Sequence, residues 1–108
     1  MASPIFLLTV GEFPADAAAL LDLMPLECAY RLALHLGSDL RRHVRDRALR
    51  ELRRARYSDL KACPAAKEIA RALDAERTDP KDDEALRRII VLDRGRALRW
   101  RAIAAVLD

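Results

Sequence analysis

Glycine is nearly missing from this chain. The three glycines among 108 residues stand apart from one another, and isolated glycines cannot form the backbone-lined loop that cradles phosphate in nucleotide-binding enzymes. Histidine is as rare, with only His35 and His43, which fall on separate predicted helices. General acid–base catalysis needs positioned groups with shifted pKa values. The carboxylates here stand mostly at helix starts or beside arginine, where capping and ion pairing account for them. Neither an enzyme nor a cofactor is expected. The two cysteines, Cys28 and Cys63, could join the histidines around a metal, but no pair has the tight spacing of zinc ligands. No metal site is expected either, and the thiols read as small hydrophobic residues of the core. Long apolar runs are also lacking: nothing approaches the ~18 residues of a membrane span. "PIFLLTV" is short, lacks a basic leader and is followed by Glu12, unlike a secretion signal. Two cysteines without such a signal point to a reducing, cytoplasmic setting.

Aromatic residues make up 5% of the chain, and β-branched residues are sparse outside residues 4–10. Their place is taken by twenty alanines, with leucine and arginine, all strong helix formers. An all-α fold follows. The length is that of a single domain, residues 1–108, with a real but modest core. The net charge of +3 hides an asymmetry. Residues 1–40 carry one arginine against five acids, and residues 41–60 carry eight arginines against three acids. Residues 61–108 carry eleven basic and nine acidic residues. Positive charge is therefore concentrated in one segment. It is nearly all arginine, whose planar fork suits phosphate and carboxylate.

Proline and glycine divide the chain into segments. "SPIFLLTVG" reads as extended, or as a short strand ended by Gly11. "FPADAAALLDLM" reads as a helix, with Pro14 in its first turn and Asp16 at its positive end. Pro25 opens a second helix, whose apolar positions Leu26, Ala29, Ala33 and Leu36 recur at helical spacing. Gly37 is expected to cap that helix, and Ser38 to cap the next. The long helix that follows has one stripe of Leu40, Val44, Ala48, Leu52 and Ala55. Next comes "CPAAKEIARALDAE", with Ile69, Ala72 and Leu73 apolar. "RTDPKDDE" is the one obvious loop and a helix-start signal, with Thr78 or Asp79 as the cap and Pro80 in the first turn. Helices over about 85–94 and 98–107 complete a compact bundle of five or six short helices.

Two surfaces stand out. Arg42, Arg47, Arg50, Arg53 and Arg54 project mainly opposite the apolar stripe of helix 41–56. Such a ridge could neutralise phosphates. It could also be a solvated face paired within itself, Asp46 with Arg50 and Arg47 with Glu51. In the tail, Trp100, Ile103, Ala104 and Leu107 form a second stripe. Trp100 is the only tryptophan and lies between Arg99 and Arg101. Wherever its ring is exposed it is a candidate hot spot for binding.

The last quarter of the chain, "LRRIIVLDRGRALRWRAIAAVLD", with "MPLECAYRLALHL" upstream, resembles the C-terminal part of the helix-turn-helix-variant domain in transfer regulators of proteobacterial conjugative elements. The residues that carry the likeness are Leu92-Asp93, Gly95, and Trp100-Arg101 followed by Ile103-Ala104. Arg99 stands where that family places a capping serine, and the sequence does not continue into a recognition helix. Members of the family are activators or, when reduced, antiactivators that bind the activator protein. The resemblance implies a truncated helix-turn-helix and the second of these roles.

The leading expectation is a small non-enzymatic, transcription-related regulator that binds a regulatory protein through Trp100, Arg96, Arg99 and Arg101. One alternative is a nucleic-acid binder using Arg42, Arg47, Arg50, Arg53 and Arg54. The other is a homo-oligomeric structural protein. No membrane association is expected.

Overall fold

Among the described residues six helices form where helix formers are concentrated, and they stop near the predicted breakers. The computed structural model describes residues 15–94, 96 and 98–108, with side chains from residue 17 onward. In order the helices are α1 (Ala15–Leu23), α2 (Leu26–Ala33), α3 (Ser38–Arg56), α4 (Ala62–Thr78), α5 (Glu84–Leu92) and α6 (Trp100–Leu107). The fold is all-α, with no strand among the described residues. The strand expected at residues 4–10 and the Pro14 position lie outside what is described, whereas Asp16 falls in the first turn of α1 as expected. No helix among the described residues is long and apolar enough to cross a membrane.

The helix ends differ from expectation at two caps. Gly37, not Ser38, is the N-cap of α3, and no side chain caps that end. With φ −69° and ψ 170° Gly37 is extended, so it is not the left-handed stop expected for α2. That helix closes instead through turn bonds from His35 and Leu36 to the carbonyls of Leu32 and Ala33. The loop 79–83 holds the second difference. Thr78 is the last residue of α4 and bonds back to the Asp74 carbonyl. The N-cap of α5 is Asp83, whose carboxylate accepts from Leu86 N. Glu76 explains the shift: its side chain is buried, and both oxygens accept from the Lys81 backbone N–H at 3.1 and 3.2 Å. That contact satisfies a buried carboxylate and turns the chain, so the cap falls further along.

α3 is the central element, packed by α5, α2, α6 and α1. Near its start, Val44 joins Leu21 of α1, Ala29 and Ala33 of α2 and Leu92 of α5 in one apolar cluster. Further along, Ala48, Leu49 and Leu52 join α4, α5 and α6 in a larger cluster that contains Ile69, Leu73, Leu86, Ile89 and Ile103. With neighbours on several sides, α3 buries more than one stripe: Leu49 is fully enclosed, while Ala55 of the expected stripe is exposed. Alanines make close packing possible. Ala29, Ala33, Ala65 and Ala66 have no exposed surface, and short side chains at a contact let helix axes approach.

The C-terminal helices pack chiefly on other helices and share one core cluster. α6 packs mainly along α4 and next on α3, whereas α5 packs on α3 and α4. Between these two helices Asp93 and Arg96 are each held by a neighbouring helix. Arg45 of α3 pairs with Asp93 at 3.0 Å, and Arg77 of α4 donates to the Arg96 carbonyl.

Candidate functional site

The nine residues singled out from the sequence divide between fastening the fold and facing solvent. Arg47 and Arg53 belong to the first group. Arg47 turns back to the Leu21 carbonyl at 2.9 Å and pairs with Glu51 at 2.9 Å. Arg53 donates to the carbonyls of Leu60 and Leu107, both at 3.0 Å, and so ties the end of α6 to α3. Uncapped carbonyls at a helix end need donors, and arginine supplies them here. The expected Asp46–Arg50 pair is absent because Asp46 is taken by Arg45, at 2.8 and 3.1 Å. Arg42, Arg50 and Arg54 are exposed, and among the described residues no carboxylate holds them. Arg50 and Arg54 line one shallow cavity with Arg53, Ser58 and Leu107. Arg42 lines another.

The four tail residues fall on two sites. Arg99, Trp100 and Arg101 border a groove of about 410 Å³ with Ala70, Asp74 and Leu98. Trp100 is half-buried against the core, and its ring lies 4.8 Å from Lys67 Nζ and 5.5 Å from the Arg101 guanidinium. Such cation–π contacts are worth about 0.5–1 kcal/mol at an exposed site. They hold the indole in place with part of its surface uncovered. Arg96 is not in this groove. It faces the cavity of about 220 Å³ lined also by Ser38, Arg41, Arg42, Arg45, Leu92, Asp93 and Arg94.

Three contributors to that second cavity were not anticipated. Arg41 is buried and donates to the Leu36 carbonyl at 2.9 Å. It lies in the same angular sector of α3 as Val44, Ala48 and Leu52, so a charge inside the apolar stripe was the signal. Arg45 holds two carboxylates, Asp46 and Asp93. Burial opposes its charge, but those two partners outweigh it and raise its pKa above the ordinary value of arginine. Arg94 has φ 54°, the left-handed conformation common just past a helix end and usually given to glycine.

Neither thiol is in the core: Cys28 and Cys63 are both exposed. His43 Nε2 lies 2.8 Å from Asp22 Oδ1, and His35 is exposed. No three His, Cys, Asp or Glu side chains among the described residues gather as a metal site. The chain matches no protein-family model, and neither a curated protein nor a solved structure gives a match.

Proposed function

We propose that this chain is a non-enzymatic regulator that works by binding a protein partner at the Trp100 groove. The observation that carries the reading is the placement of the only tryptophan. Its ring is anchored by Lys67 and Arg101 yet left partly open beside an apolar floor of Ala70 and Leu98. Tryptophan and arginine are the residues most enriched where binding energy concentrates, and a rigid aromatic costs little entropy to dock. The antiactivator sense of the regulation rests on the resemblance of the tail alone. Arg96 is outside this reading, since it faces the other cavity.

The test is charge reversal at Arg99 and Arg101. Both are exposed, and surface changes of this kind usually move stability by less than ~0.5 kcal/mol. Reversal at Arg101 removes a contact to the indole while an acid at Arg99 favours the start of α6, so the double variant is expected to stay folded and to lose its protein partner. Partner binding that survives both reversals contradicts the reading. The single tryptophan supplies an independent readout, because its emission should shift when the partner covers it.

A second reading is favoured by Arg42, Arg50 and Arg54, which are exposed without a carboxylate partner among the described residues. They are spread along α3, Arg50 and Arg54 at one cavity and Arg42 at another, and a nucleic-acid backbone is a partner long enough to engage all three. If it does, Ala at all three should flatten the salt dependence of binding by about 2.7 in log–log slope, the effect of three phosphates. Absence of binding at low salt to duplex and single-stranded probes removes this reading.

A further inference from the structure

We infer that the cavity between the start of α3 and the α5–α6 link is a binding site for a small phosphate-bearing anion, of the diphosphate class. Five arginines line it, Arg41, Arg42, Arg45, Arg94 and Arg96, with the Ser38 hydroxyl and a single carboxylate, Asp93. That carboxylate does not neutralise the group, because Arg45 takes it at 3.0 Å in a pair whose two side chains are each 13% exposed. Arg41 is held by the Leu36 carbonyl. Arg42, Arg94 and Arg96 are left exposed around the opening, with no carboxylate bound to them among the described residues. Like charges gathered on a wall of packed helices repel one another. A multivalent oxyanion relieves that repulsion while accepting several charge-assisted hydrogen bonds from planar guanidinium forks. The volume of about 220 Å³ has room for such an anion with its waters.

Two further features suit this use. Arg94 occupies a left-handed backbone position, φ 54°, where glycine would be unstrained. Local strain of this kind recurs at ligand clamps, and here it places a guanidinium at the cavity. Contacts beside Arg94 and at Arg96 are also made without a ligand, Arg45 on Asp93 and Arg77 on the Arg96 carbonyl. A site built in advance loses less entropy on binding.

The experiment is calorimetric titration with inorganic pyrophosphate at constant ionic strength, chloride making up the balance. Wild type is compared with R42Q/R96Q and with R50Q/R54Q, whose changes lie in the other arginine-lined cavity. All four positions are exposed, and unchanged melting curves establish that each variant is folded. The expected result is saturable binding by wild type, weakened about tenfold or more in R42Q/R96Q and by less than about twofold in R50Q/R54Q. ADP titrated in parallel identifies the source of the diphosphate: equal affinity assigns the free anion, and tighter binding a nucleotide. R94G is expected to raise the melting temperature while weakening pyrophosphate binding. The inference is overturned if wild type shows no heat beyond the chloride control into the millimolar range. Equal weakening in both double variants also overturns it, since that is diffuse screening and not a site.

Discussion

Arginine does two unlike jobs in this protein, and which one it does is decided residue by residue. Arg41, Arg45, Arg47, Arg53 and Arg77 reach carbonyls or partly buried carboxylates and fasten one part of the fold to another. Arg42, Arg50, Arg54, Arg99 and Arg101 are exposed. Arg99 also occupies the N-cap of α6, with φ −72° and ψ 147°, and makes no capping bond. Asp at that position would accept from the first-turn N–H groups and favour the positive helix end. R99D is therefore expected to stabilise the fold by about 1 kcal/mol, measured by denaturant unfolding, although it removes a charge from the Trp100 groove. Asp83 is the converse case, already a cap. Arg56 holds its carboxylate by bonds of 2.7 and 2.9 Å, and this pair, with the Leu86 N–H, keeps the pKa below the ordinary 3.8. A carboxyl with a lower pKa in the folded state adds stability above its unfolded value, and that stability is lost as pH falls through the folded value. Asn keeps the cap but not the ion pair. D83N should thus cost about 0.2–1 kcal/mol at pH 6, as a partly exposed pair does. The gap between variant and wild type should close below about pH 4. A gap that persists into acid would show that the ion pair is not its source.

At the scale of elements, the helices were legible and the roles of their polar faces were not. Proline, glycine and the periodic apolar positions located the six helices of the described residues to within a few residues. Ala29, Ala33, Val44, Ile69, Leu73 and Ile103 are buried as their spacing demands. The misplacements are tertiary in origin. Ser38 and Thr78 have good capping chemistry, but Gly37 takes the first cap, and Asp83 takes the second because the chain turns where Glu76 grips the Lys81 N–H. No local pattern in the sequence carries that contact. The same holds for the arginine ridge, where spacing placed Arg47 outward and the Leu21 carbonyl drew it in. Arg96 and Trp100 are near in sequence, yet the held link sends them to different cavities. The alanines of α2 offer a test at this scale. Ala33 has no exposed surface where α2 meets α3, so A33L has to part the helices and should cost about 1–3 kcal/mol by overpacking. Stability equal to wild type would mean that the interface is looser than described.

At the scale of the molecule, α3 joins a smaller apolar cluster, shared with α1, α2 and α5, to a larger one shared with α4, α5 and α6. The arginine-lined cavity lies beside the smaller cluster, where Leu92 reaches its wall, and the Trp100 groove lies on the larger one. The α5–α6 link borders both, contributing Arg94 and Arg96 to one cavity and Leu98 and Arg99 to the groove. The central claim is that the protein acts by binding another protein at the Trp100 groove. Its most direct measurement is quantitative mass spectrometry of what co-purifies with wild type, R99E/R101E and R50E/R54E, each verified as folded by its melting curve. The account predicts a protein enriched with wild type and with R50E/R54E and lost from R99E/R101E. The same protein retained by R99E/R101E would contradict it. So would nucleic acid co-purifying in place of a protein and disappearing with R50E/R54E.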